Sequence, residues 1–129
     1  MPEYRIDGAK IEGIDDLYDQ FNDAFMRDED WRMGTSLDAL NDILYRLDSE
    51  AREGDAAVVI WHDSERSREV LGIAATERWL LDKLARPGTF NETKFRADLA
   101  ALRDGTGTTY FEIVLEVFAD HPLIALQLV

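Results

Sequence analysis

Residues 56–61, Ala56-Ala57-Val58-Val59-Ile60-Trp61, form a continuous apolar run that follows a polar turn at Gly54-Asp55 and stops at His62-Asp63. Six residues are far short of the roughly 18 a membrane helix needs. The run also lacks the alternation of a strand with one wet face, so it reads as a strand covered on both sides, at the centre of a small parallel sheet. Parallel neighbours cannot be joined by a tight turn. They need crossovers of a dozen or more residues, usually helical, and the rest of the chain must supply them.

The segments on either side carry that periodicity. Tyr4-Arg5-Ile6 reads as a short strand running into the turn pair Asp7-Gly8, with Lys10-Ile11 leading onward. Ile14, Leu17, Tyr18, Phe21, Ala24 and Phe25 then recur at helical spacing, with Asp15, Asp16, Asp19 and Asp23 on the opposite face. A polar loop, 26–35, precedes a second helix that Thr35 or Ser36 can cap. Thr35-x-x-Asp38 has the capping-box pattern, with the acid near the positive end of the dipole. Leu37, Leu40, Ile43, Leu44 and Leu47 form the buried stripe of this helix, and Asp38, Asn41, Asp42 and Tyr45 share an exposed strip.

After the central strand, residues 64–84 read as mostly helical, with Gly72 as a break and a stop at Arg86-Pro87-Gly88. Thr89 or Asn91 can cap a further helix carrying Phe95, Leu99 and Leu102, closed by Gly105. Residues 110–118 set Phe111, Ile113, Leu115 and Val117 against Tyr110, Glu112 and Glu116. That is a period of two, so the segment is predicted to be the third strand. The apolar tail 119–129 is left unassigned. The expected fold is therefore α/β: one domain over residues 1–129, a small three-stranded parallel sheet packed with helices. Its helical segment at about 63–88 is expanded, and no repeat or low-complexity stretch is present.

The net charge of −13 is unevenly placed. Residues 1–48 hold thirteen acids against five bases, whereas 63–105 hold eight of each. A lopsided field of this kind suits a face that meets a cationic partner, and it argues against direct nucleic-acid binding, which needs clustered Lys and Arg. There is no cysteine, which excludes a disulfide framework and thiolate metal sites. With neither a signal-like start nor a membrane span, the chain is expected to be cytoplasmic.

Catalytic signatures are mostly missing. There is no nucleophile elbow, HExxH or phosphate loop, and the two histidines, His62 and His121, lie far apart without ligand spacing. Gly105-Thr106-Gly107 imitates the opening of a dinucleotide fingerprint but lacks the third glycine and is expected to enter a strand. Asp28-Glu29-Asp30 fails the calcium-loop pattern because Met33 and Ala39 occupy positions six and twelve. No cofactor and no metal are expected, and the chain is not expected to be an enzyme. His62, after the central strand, stands as the alternative catalytic candidate. Trp61 and Trp79 are expected in the core, while Trp31, in a polar loop, is harder to bury.

Asp38 and Asp42, four residues apart on an exposed strip, repel each other unless a cation docks between them. The stretch Gly34-Thr35-Ser36-Leu37-Asp38-Ala39-Leu40-Asn41-Asp42, with Ile6-Asp7-Gly8, Ile11, Ile14-x-Asp16-Leu17 and Phe21, resembles the barstar-type ribonuclease inhibitors, whose signature is Gly-x-Asn-Leu-Asp-Ala-Leu-x-Asp. The resemblance spans roughly residues 4–60. It implies a domain whose second helix and preceding loop plug a ribonuclease active site, with Asp38 and Asp42 standing in for phosphates and Gly34 letting the loop approach closely. It further implies an acidic contact from the last helix, for which Asp98 and Asp104 are the candidates. Asn41 replaces a helix Trp of the family, and Arg32 stands where the loop usually offers an aromatic, a role Trp31 could take over. The expected partner-binding set is thus Asp38, Asp42, Asn41, Gly34, Trp31, Arg32 and Tyr45. The partner is expected to be a basic protein, first a ribonuclease or nuclease toxin and alternatively a non-ribonuclease toxin or regulatory protein. The free chain is expected to be monomeric.

Overall fold

The computed structural model describes residues 2–54, 56–86, 88 and 91–129. Its three strands, β1 (Glu3–Asp7), β2 (Ala57–His62) and β3 (Ile124–Leu128), lie side by side in chain order and all run parallel. β2 is the centre, as its apolar run requires. It pairs Ile6 with Trp61 on one side and Trp61 with Leu128 on the other. Ala57, Val59 and Trp61 point into the core, while Val58, Ile60 and His62 on the other face are half-buried. The first crossover consists of a 3-10 turn (Gly8–Lys10), α1 (Ile14–Phe25) and α2 (Leu37–Glu53). The second contains α3 (Ser64–Val70), α4 (Ile73–Leu84), α5 (Glu92–Asp104) and α6 (Tyr110–Ala119). No helix among the described residues is long and apolar enough to cross a membrane.

Residues 110–118, expected as a strand, are the helix α6. The Thr109 side chain accepts from the backbone N–H of Glu112, and the Glu112 carboxylate accepts from the N–H of Thr109, a reciprocal cap that starts a helix. Tyr110, Phe111, Val114 and Phe118 are buried at helical spacing, and Glu112 and Glu116, four apart, are both exposed. The third strand is instead supplied by the apolar tail, to which the sequence pattern assigns no element. It is an edge strand in which only Ile124 is buried, and Val129 N–H donates to the Trp61 carbonyl just beyond it at 3.0 Å.

One core joins these layers. Phe21 of α1 sits against Tyr18, Phe25, Trp61 and Phe118, and fully burying a side chain of this size contributes about 1.5–3 kcal/mol. The Tyr18 and Tyr110 hydroxyls meet at 2.6 Å inside this core. Burial raises the pKa of both phenols, that of Tyr110 to about 12, so both serve as neutral packing groups. α4 and α5 pair as a helical hairpin with a small cluster of its own, Leu80, Leu99 and Leu102, flanked by Trp79, Leu84 and Phe95. Residues 63–88, expected as an expanded helical segment, hold α3 and α4 among the described residues. Gly72 caps α4, and Asn91 caps α5 by accepting from Lys94 N–H. Thr89, the other cap candidate, lies outside the described residues.

Two glycines are required by close approach. A Cβ on Gly8 would stand 2.3 Å from the His62 carbonyl and 2.6 Å from that of Asp63, where the 3-10 turn crosses the end of β2. Arg66 of α3 clamps the same turn, donating to the carbonyls of Gly8 at 3.0 Å and Ile11 at 2.7 Å and pairing with Glu12. Gly8→Ala is expected to destabilise the fold by about 1–3 kcal/mol, the usual cost of overpacking, read as a lowered urea midpoint. A parent-like midpoint would mean this crossing yields. Gly107, similarly, would place a Cβ 2.5 Å from Leu102 N.

Candidate functional site

α2 is held at its start by Ser36, whose hydroxyl accepts from Ala39 N–H at 3.1 Å. The cap is therefore Ser36, and the Thr35-x-x-Asp38 capping box is not formed: extended backbone at Ser36 places its oxygen over the first turn, one residue later than that pattern needs. Asp38 lies in this first turn, where the helix dipole favours a negative charge. Leu40, Ile43, Leu44 and Leu47 anchor α2 in the core, with Leu37 half-buried. That stripe fixes which way the opposite face points.

Asp38, Asn41, Asp42 and Tyr45 all lie exposed on that opposite face. Tyr45 keeps 63% of its surface open. Among the described residues neither Asp38 nor Asp42 takes part in an ion pair or a side-chain hydrogen bond. Other acids are differently placed: Glu12, Asp19, Glu29, Asp48, Glu65, Glu77, Asp82, Glu92 and Asp98 all have basic partners on the chain itself. The α2 strip thus carries two bare carboxylates one helical turn apart, an arrangement able to receive a guanidinium or ammonium group.

The remaining predicted residues divide. Gly34 is exposed just before α2, and a Cβ there would meet only Ala39 Cβ, at 4.0 Å, so packing within the chain does not demand a glycine. Trp31, 51% exposed, and Arg32 lie in the loop against α1. They line a shallow cleft with Asn22, Asp23, Met26, Arg27, Glu29 and Asp30, which includes none of the α2 strip. Arg32 pairs with Asp19 at 3.5 Å, and Asn22 ties the loop down by accepting from Met33 N–H at 2.8 Å. In Asp28-Glu29-Asp30, Glu29 pairs with Arg46 at 3.3 Å, and no group of three or more potential ligands among the described residues could hold a metal.

Asp98 and Asp104 do not lie on the last helix, because α6 is the last helix. Asp98, on α5, shares a cleft of about 660 Å³ with Asp38, Trp79, Lys83, Lys94, Phe95 and Glu116, but Lys94 holds it at 2.9 Å. Asp104 ends α5, and hydrogen bonds from the Thr106 side chain and backbone hold its carboxyl below the usual range. The acids of α6 and its cap are Glu112, Glu116 and Asp120. Glu112 is committed to the Thr109 cap, whose backbone and side-chain hydrogen bonds hold its carboxyl below the usual range. Asp120 adjoins His121, and that histidine reaches α2.

His121 is the residue sequence reasoning missed. It is 5% exposed, its Nε2 lies 2.8 Å from Asn41 Oδ1, and its Nδ1 lies 3.6 Å from Asp48 Oδ2, also buried. The Tyr45 ring stands edge-on to the imidazole at 6.4 Å. His62 is half-buried at the end of β2, and neither of the two clefts described above includes it. The glycine-rich link 105–107 enters a helix and not the strand expected. Even so, Thr106 N–H and Gly107 N–H are already spent on the Ala101 carbonyl, and Gly105, at φ +87°, closes α5. Those amides therefore terminate a helix and are not turned toward a phosphate.

The sequence model of the family described as Barstar (barnase inhibitor) matches residues 1–121 of the 129-residue chain. No curated protein and no solved structure matches.

Proposed function

This chain belongs to the barstar family, and from that membership and the geometry of α2 we propose that it is a protein inhibitor that occludes the basic active site of a ribonuclease. Asp38 and Asp42 act as phosphate mimics. The observation that carries the reading is that these two carboxylates stand open and, among the described residues, unpaired on one helix turn. A catalytic cleft of a ribonuclease is lined with cations that hold phosphates, and each charge-assisted bond to a carboxylate is about twice as strong as a neutral one. The excess of acid in residues 1–48 adds a long-range field that draws such a partner in.

Within this reading the acidic contact from the last helix is Asp120. Its neighbour His121 touches Asn41, which brings the end of α6 beside the α2 strip. Tyr45 borders the strip on the same side, and Trp31 supplies a separate aromatic contact from the loop. A second reading keeps this face and changes the target to another basic protein. It is favoured by Arg32, a cation on the contact loop whose charge Asp19 only partly meets at 3.5 Å. In both readings the chain blocks its partner and performs no catalysis of its own.

The test is inhibition of a basic ribonuclease, with barnase as the first probe and a second toxin nuclease beside it. The ribonuclease reading predicts saturable inhibition at one inhibitor per enzyme. The association rate should fall as ionic strength rises toward about 1 M, where the screening length is about 3 Å. Binding without inhibition would favour the second reading, and a salt-independent association would remove the electrostatic basis of both.

A further inference from the structure

The α4–α5 hairpin stands beside the start of α2 without closing onto it. Its base is fixed: Thr76 Oγ1 donates to the Gly72 carbonyl at 2.7 Å and accepts from Tyr110 N–H at 2.7 Å, and the Trp79 ring meets Tyr110 edge-on at 4.9 Å. α5 makes its main contacts with α4 and not with α2 or α6. The cleft of about 660 Å³ lies between this hairpin, the start of α2 and α6, with Trp79, Phe95, Ala101 and Ile113 as apolar walls and Asp38 of α2 and Glu116 of α6 beside them. Sites that enclose a ligand run from roughly 300 to 1,000 Å³, so this one has room for more than one side chain.

The charges in the cleft select its occupant. Lys94 holds Asp98 at 2.9 Å, and Lys83 lies over the Trp79 ring at 5.7 Å. Asp38 and Glu116 are exposed, and among the described residues neither carboxylate takes part in an ion pair or a side-chain hydrogen bond. They repel an anion, and the amides of Thr106 and Gly107 are already spent on the Ala101 carbonyl. A purely apolar occupant would strip water from two carboxylates and offer them no partner, which is costly. Arginine and lysine avoid both penalties, because they lay an aliphatic stem along apolar surface and keep a charged head at its edge. Arginine suits two carboxylates on different helices better, since its planar fork carries five donors.

We infer that the α4–α5 hairpin is a second docking element, whose cleft receives a protruding loop of a basic partner and seats an arginine of that loop with its head at Asp38 and Glu116. The arginine stem lies along Ala101 and Ile113, both half-buried. Asp38 belongs to the cleft and to the α2 strip alike, so one partner covers both. The hairpin thereby selects among partners: one with a flat rim reaches α2 alone, whereas one with a basic loop beside its active site fills the cleft as well. That the loop belongs to a ribonuclease rests on the occlusion reading above; that the cleft takes an arginine side chain does not.

The experiment is NMR of the free chain titrated with N-acetyl-arginine amide, beside its neutral isostere N-acetyl-citrulline amide. The Trp79 indole N–H and the Ile113 methyls are expected to shift saturably with the arginine compound and to ignore the citrulline one. Glu116→Gln, an exposed change, is expected to weaken that binding several-fold, and Ala101→Phe, which fills the cleft, to abolish it with the urea midpoint kept near the parent's. Should Ala101→Phe disturb the hairpin, Glu116→Gln alone decides. Shifts confined to Asp42 and Tyr45, equal binding of citrulline, or binding unchanged in Glu116→Gln overturns the inference. No ribonuclease enters these measurements, so their failure is distinct from failure of the inhibitor reading. With a ribonuclease that the parent inhibits, Glu116→Gln is expected to raise the dissociation constant roughly tenfold, the loss of one charge-assisted hydrogen bond at a desolvated face. A value equal to the parent's would overturn the docking role of the hairpin.

Discussion

Trp61→Ala is expected to lower the unfolding free energy by about 3–5 kcal/mol, the range for deleting a large aromatic from a core. Trp61 is fully buried in the central strand, with its ring against Phe21 at 6.3 Å and Phe111 at 5.3 Å. Its indole N–H donates to Ser67 Oγ at 3.0 Å, and Ser67 is itself fully buried. Alanine therefore leaves a cavity bounded by a rigid sheet and two helices, along with a hydroxyl whose partner is gone. Neither defect is easily relaxed, since β2 is fixed in register on both sides by β1 and β3. Trp61→Phe separates the two costs, because it refills most of the space and leaves only Ser67 unmatched, for about 1–3 kcal/mol. Urea titrations with unchanged slope would read both values. A loss under about 1 kcal/mol in Trp61→Ala would show that this residue is not the keystone of the core.

How far the fold was legible follows from how many faces of each segment are buried. β2 was readable because its residues are apolar on both faces, and α1 and α2 because each has one wet face with acids at helical spacing. The exchange at the C-terminus has the opposite cause. Residues 110–118 are apolar at nearly every position, so Phe111, Ile113, Leu115 and Val117 fit a period of two as well as Tyr110, Phe111, Val114 and Phe118 fit a helix. What decides is the Thr109–Glu112 cap, a signal present in the sequence but weaker to the eye than the alternation. β3 is an edge strand with only Ile124 buried, so it never shows the pattern of a strand. The sheet has three parallel strands, as expected, but a different segment supplies the third.

The site divides in the same way. Local spacing was enough to put Asp38, Asn41, Asp42 and Tyr45 on one open strip, because a helix turns 3.6 residues at a time whatever surrounds it. Contacts that depend on tertiary placement were not legible. His121 reaches Asn41 across 80 residues of chain, and no motif marks that pairing. Asp98 and Asp104 fall on α5 and not on the last helix because residues 110–118 form a helix where their alternation predicts a strand, and Asp120 is the acid at the end of that helix. Arg32 finds Asp19 of α1 across thirteen residues, a pairing that no local pattern marks.

Asp38→Ala and Asp42→Ala are each expected to weaken binding of the ribonuclease partner roughly ten- to a hundredfold while leaving the fold almost untouched. The first half follows from the loss of a charge-assisted hydrogen bond at a face that partner binding desolvates, about 1.5–3 kcal/mol each. Stability is spared because neither carboxylate holds anything on its own chain among the described residues. Removing Asp42 relieves a like-charge pair worth a few tenths of a kcal/mol. Removing Asp38 does the same but forfeits a favourable charge in the first turn of α2, about 0.3–1 kcal/mol. The double variant should lose less than the sum of the two, since carboxylates that share one cation are coupled and not independent. Asp82→Ala is the control. That acid is exposed on α4 and already bound to Arg86 at 2.6 Å, so its loss should leave affinity within about twofold, as for a screened surface pair. Calorimetric titration of the four variants together with their urea midpoints makes the comparison. A double variant that binds as tightly as the parent would mean that the bare carboxylates of α2 are only a solvated helix face, and the inhibitor would have to act through some other surface.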